Sequence, residues 1–144
     1  GGASIICKAM REDDMKTFVQ QPWVAIASDG GVGNNHPRGA GTFPRVLGVY
    51  VRENKWLTLE EAVRKMTGLP ASRLKLKDRG EIKQGAFADL VLFNPATVKD
   101  NATFAEPHKL ATGIEKVFVN GQLVWDSGKT TGLKPGRIID RQLN

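Results

Sequence analysis

The chemistry-bearing residues of this 144-residue chain gather in one stretch. An apolar run, Trp23-Val24-Ala25-Ile26-Ala27, ends in Ser28-Asp29-Gly30-Gly31. His36-Pro37-Arg38 and Gly41-Thr42-Phe43-Pro44-Arg45 follow. A carboxylate at the end of a short apolar strand is held by stiff backbone and faces a flexible loop. In α/β proteins that edge is where ligands bind and reactive residues lie. Asp-Gly is also a common turn pair, and the pattern alone favours that plainer reading of Asp29. Arg38 has the planar fork that grips a carboxylate through two hydrogen bonds, a role as consistent with its surroundings as that of an exposed surface arginine. His36 has no spaced partner, and its proline neighbour suits a loop or substrate-facing place. His108, after Pro107, reads as surface, Arg45 as a brace for the loop or helix start, and Ser28 and Gly30 as residues that shape the backbone around Asp29. Two histidines at these positions do not make a zinc site.

The elements that would position these residues follow from periodicity. Residues 4–7 and 24–28 read as short buried strands. Between them Glu12-Asp13-Asp14 opens a helix with acids where its dipole favours them, and Met15, Phe18 and Val19 supply its buried stripe. Strand, helix and strand at this spacing predict a βαβ unit with a parallel pair. Residues 30–42 read as a long Gly/Asn-rich loop, and Pro44 as the first turn of a helix with Val46, Leu47, Tyr50 and Val51 on its apolar face. Thr58 and Glu61 form a capping box for a helix that buries Leu59, Ala62, Val63 and Met66. Pro70 starts a short helical turn that reaches about Leu74. Past Gly80 the period changes to two. Residues 89–93, 114–119 and 122–125 read as strands, the last two joined by the type I′ signal Asn120-Gly121. The fold class is therefore α/β, with a boundary near residue 80 between a partial α/β unit (1–80) and a β module (81–144). Two strands cannot close a parallel sheet, so part of the fold is expected to be missing or supplied by another chain.

Bulk properties exclude several classes. Hydrophobic residues make up 40% and charged residues 25%, as in an ordinary globular protein. No apolar run approaches the roughly 18 residues of a membrane span, and the N-terminus lacks the basic region of a signal peptide. The single cysteine, Cys7, rules out an internal disulfide and reads as a buried structural thiol. Nothing demands an oxidising compartment, and a cytoplasmic setting is expected. The net charge of +6 sits mostly in residues 49–80, where eight Lys/Arg face four Asp/Glu. Arg73, Lys75, Lys77 and Arg79 have no aromatic interleaving, so they read as a solvated surface rather than a nucleic-acid site.

The chain resembles the C-terminal part of an amidohydrolase-superfamily enzyme of the N-acyl-D-amino-acid deacylase (D-aminoacylase) group. The resemblance rests on Ala27-Ser28-Asp29-Gly30, His36-Pro37-Arg38, the run from Gly41 to Gly48, Thr58-Leu59-Glu60-Glu61-Ala62 with Met66-Thr67, Asp78-Arg79-Gly80, Gly85-Ala86-Phe87-Ala88-Asp89-Leu90-Val91 and Val119-Asn120-Gly121. These run in family order over nearly the whole chain, and Gly41-Thr42-Phe43-Pro44-Arg45 is the most specific of them. The resemblance implies the last βα units of an amidohydrolase-type (β/α)₈ barrel, with residues 4–7 and 24–28 as its seventh and eighth strands. A C-terminal share of a small β-sandwich follows. It also implies a hydrolase of the amide bond of N-acyl-D-amino acids, in which Asp29 lies beside zinc, takes a proton from water and returns it to the leaving amine. Arg38 and His36 would then face the substrate. Asp29 could touch the metal only with ligands missing from this chain: the family's His-x-His pair has no counterpart here, and Cys7 lies on the wrong strand to replace the family's metal-binding cysteine. Zinc is thus expected in the complete enzyme and not on this chain alone, which is expected to lack deacylase activity. The expected partners are an N-acyl-amino-acid small molecule and either a second copy or a complementing N-terminal chain, with no nucleic acid and no membrane. The alternative is a non-catalytic, self-associating module derived from that family that binds small molecules or protein.

Overall fold

A computed structural model describes residues 10–31, 33 and 35–139; the strand expected at 4–7, with Cys7, lies outside the described residues. The first half is helical. Helix α1 (Glu12–Val19) has Glu12, Asp13 and Asp14 in its first turn. Val19 is buried and Met15, one turn earlier, packs on the core. Phe18 departs from expectation and is 57% exposed. Adjacent residues stand about 100° apart round a helix, and a contact as narrow as Met15–Val19 leaves Phe18 off its edge.

Residues 24–28 keep the two-residue alternation of a strand, with Val24, Ile26 and Ser28 half-buried and Ala25 and Ala27 exposed. They join no ladder among the described residues, so the expected buried strand and parallel pair are not seen there. A strand needs a hydrogen-bonded neighbour. Here the amide of Ile26 donates instead to the carbonyl of Lys65, at 3.0 Å.

Helix α2 (Arg38–Arg45) begins inside the stretch expected to be loop. Pro37 at its N-cap has φ −58°, already helical, which is why the helix starts before Pro44. Pro44 lies within the helix, where its missing N–H breaks the ladder. The chain then continues as a π-helix, Val46–Glu53, with Asn54 N reaching back five residues to Val49 O at 2.8 Å. Val46, Leu47 and Tyr50 are buried as expected. Val46, Tyr50 and Ala62 centre the core, and Tyr50 stacks on Trp56 at 4.8 Å.

Helix α3 (Leu59–Met66) is capped by Thr58, whose hydroxyl accepts from Glu61 N at 3.2 Å. The Glu61 carboxylate turns away from the cap to Arg64, at 2.7 and 2.8 Å. The hydrogen bond from Arg64 holds the Glu61 carboxyl below the ordinary value of 4.5, aided by the charges of Arg64 and Lys65 against partial desolvation. A lowered folded-state value means that this stabilisation is complete above 4.5 and is lost as pH falls through the folded value. The protection of the α3 amides, the intrinsic exchange rate at each pH divided by the observed one, is expected to fall on acidification below that point. In E61Q the same amides should show a flatter pH response; an unchanged response would assign the acid sensitivity elsewhere. Helix α4 (Gly68–Arg73) starts two residues before Pro70. No helix among the described residues is long and apolar enough to cross a membrane.

The second half is an antiparallel meander of β1 (Leu90–Phe93), β2 (Ile114–Val119), β3 (Gln122–Asp126) and β4 (Lys129–Thr130). Asn120 and Gly121 have φ 47° and 79°, the positive pair of a type I′ turn. Arg52 of the π-helix ties the halves together through the carbonyls of Pro95 (3.1 Å) and Val98 (2.7 Å). In the basic segment, Arg73, Lys75 and Lys77 are exposed as expected. Arg79 is not a solvated cation: its side chain is only 12% exposed, pairs with Asp89, donates to Asn120 Oδ1 at 2.8 Å and lies over the Phe87 ring. Polar groups of the β half supply the partners that let this guanidinium leave water.

Candidate active site

Asp29 has φ 48°, in the left-handed region that Asp and Asn tolerate better than other side chains. Strain of this kind, on a carboxylate at the end of an extended segment, is found where a side chain must be aimed. Ser28 Oγ accepts from Gly30 N at 3.2 Å and tightens the turn around it. A Cβ on Gly30 would meet Gly39 Cα at 3.0 Å. The bare backbones of these two glycines let the end of the extended segment approach the first turn of α2.

That approach brings Asp29 and Arg38 together: Arg38 Nη2 lies 2.5 Å from Asp29 Oδ2. Both side chains face solvent, at 48% for Arg38 and 75% for Asp29. Ion pairs this exposed add little stability, so folding alone does not account for the pair. A guanidinium has five N–H donors, and the contact through Nη2 leaves a second edge able to meet another carboxylate.

His36 sits immediately before α2, and its Nδ1 accepts from the Arg38 amide at 3.0 Å. Phe104, from the β half, meets the His36 ring edge-on at 5.4 Å. His108 is exposed as expected, with Nε2 3.3 Å from Asn35 Oδ1. The segment around residues 103–109 thus borders the site, which residue types alone did not indicate. Arg45 is the last residue of α2 and the N-cap of the π-helix that follows, so it stands at a helix start as expected, with Glu12 of α1 4.0 Å away.

The described residues contain no group of three or more His, Cys, Asp or Glu placed to hold a metal ion. A zinc site needs three or four such donors. Asp29 supplies one and already faces a guanidinium, so these residues do not by themselves fit the metal. An apolar pocket of about 430 Å³ lies elsewhere, between the helices and the sheet, lined by Phe43, Leu47, Met66, Val91 and Phe93 among others. It includes none of Asp29, His36 and Arg38.

A sequence model described as "Amidohydrolase family" matches residues 7–125. The chain is 47% identical over 141 residues to a D-aminoacylase of Alcaligenes xylosoxydans xylosoxydans, covering 96% of this chain and 29% of that protein. It superposes with a TM-score of 0.88 and 46% identity on a solved D-aminoacylase whose binuclear metal centre is activated by one metal and attenuated by the second; the match covers 92% of this chain and 28% of that one. A solved N-acyl-D-glutamate deacylase of Bordetella bronchiseptica, in complex with zinc and a phosphonate mimic of the tetrahedral intermediate, matches with a TM-score of 0.83 and 44% identity, over 90% of this chain and 28% of that one. The chain therefore spans under a third of the length of the relatives it matches.

Proposed function

Since the chain belongs to the amidohydrolase family, we propose that it is the C-terminal piece of a zinc-dependent, cytoplasmic deacylase of N-acyl-D-amino acids. In this reading residues 1–80 are the last barrel units and residues 81–144 the C-terminal share of the sandwich. A complementing N-terminal portion, or a second copy, completes the fold. The exposed Leu90, Val91 and Leu92 on edge strand β1 are in keeping with such a cover. The observation that carries the proposal is the Asp29–Arg38 pair on a strained backbone turn.

Asp29 is the proton carrier. Its carboxylate takes the proton from the attacking water as the new C–O bond forms at the acyl carbon. It returns that proton to the nitrogen as the C–N bond breaks, leaving an acid and a free D-amino acid. Arg38 holds the substrate's α-carboxylate through the guanidinium edge not turned to Asp29. His36 braces Arg38 by accepting its amide and borders the substrate. Zinc belongs to the complete enzyme, on ligands outside this chain, and the chain alone is expected to be inactive. A tight stoichiometric zinc site on the isolated chain, with turnover, would refute that last point.

The test is turnover of N-acetyl-D-amino acids by the complete protein, including any chain it pairs with. R38K should raise KM by about 10- to 100-fold, the worth of one charge-assisted bidentate contact, with a smaller effect on kcat. Absence of turnover, or a KM indifferent to R38K, would overturn the assignment.

A further inference from the structure

Beneath the segment that carries Asp29 lies a buried charge with no part in proton transfer. The Lys65 side chain is wholly inaccessible to solvent. Its ammonium donates to the backbone carbonyls of Gln21 and Val24, the latter at 3.0 Å, and lies 3.5 Å from Glu61 Oε1. Its own carbonyl accepts from Ile26 N at 3.0 Å. Arg64, one residue earlier, donates from Nη2 to the Pro22 carbonyl at 2.7 Å. Two consecutive residues of α3 thus take up three carbonyls and one amide of residues 21–26. Lysine is almost never fully buried, because its charge must leave water, and it stays inside only where fixed acceptors surround it. Here those acceptors are the backbone that leads, three residues beyond Ile26, to Asp29. Helix α3 is itself fixed, by the Thr58 cap and by Ala62 in the core.

We propose that Lys65, with Arg64 beside it, is a positioning residue of the site: α3 clamps residues 21–26 and thereby sets where Asp29 stands relative to Arg38. The proposal rests on the reading of Asp29 as proton carrier. Its geometric half can be judged without turnover.

The experiment uses the complete protein labelled at aspartate Cγ, with the Asp29 signal assigned by its loss in D29N. In K65M the Asp29 carbon resonance should shift or broaden. kcat should fall by about 10²-fold with KM within about threefold, as for a displacement near 1 Å. R64Q should move both in the same direction by less. K65R keeps a cation among the same carbonyls and should recover part of both. Should K65M fail to fold, R64Q and K65R decide. In an active protein, either change without the other overturns the proposal, as does a folded variant with neither. If the parent protein turns over no N-acyl-D-amino acid, the deacylase reading falls, while an unmoved Asp29 resonance would separately refute the clamp.

Discussion

D29N in the complete protein is expected to lower kcat about 10³-fold, within the range that a positioned acid–base group contributes. Asn keeps the size and planarity of the carboxylate and can still turn an oxygen toward Arg38, but it cannot take a proton from water. The choice of Asn is dictated by the backbone. Asp29 has φ 48°, where Asn is tolerated and Ala is strained, so D29A would mix a backbone penalty with the chemical loss. Circular dichroism and thermal midpoint should match the parent, because an ion pair 48% and 75% exposed adds little to folding. D29E places a carboxylate about one methylene further out and should recover only part of the rate. An activity within tenfold of the parent in D29N would remove Asp29 from the reaction. A large loss accompanied by an equal rise in KM would instead make it a partner of Arg38 in binding.

Asp29 and Arg38 are legible in the sequence only as candidates: a carboxylate ends an apolar run and a guanidinium follows His-Pro, a pattern that by itself favours a turn at Asp29 and leaves Arg38 open. Their contact was not legible, since it depends on the bare backbones of Gly30 and Gly39 meeting and on α2 starting at Arg38. The β half follows local rules, with Asn120-Gly121 dictating the turn and alternation dictating the strands. The helical half obeys longer-range ones. Apolar residues at Val46, Leu47 and Tyr50 fit an α-helix as well as a π-helix, and only Pro44 in the preceding turn hints at the widened winding. Lys65 occupies what reads as a polar slot one turn after Glu61; its burial comes from carbonyls some forty residues away in the chain. Arg79 hides for the same reason, its partners Asp89 and Asn120 being 10 and 41 residues distant. Charged groups are read as solvated by default, and only tertiary acceptors reverse that.

G113A is expected to destabilise the fold by about 4 kcal/mol, from a left-handed backbone cost of about 1–2 kcal/mol and overpacking of about 1–3 kcal/mol. Gly113 has φ 78°, and a Cβ there would lie 2.5 Å from both N and Cα of Val98. Those atoms are backbone and cannot swing aside. Val98 is fully buried, its amide donates to Asn94 O at 2.9 Å, and its carbonyl accepts from Arg52 at 2.7 Å. Moving it loosens the joint between the π-helix and the β half. G121A provides the control: φ is 79°, but nothing lies within 4 Å of the added Cβ. It should show the backbone cost alone, about 1–2 kcal/mol. Denaturant midpoints at constant m separate the two. Equal losses would mean that residues 97–98 yield to the methyl group, and the joint through Arg52 would then be softer than its short hydrogen bonds imply.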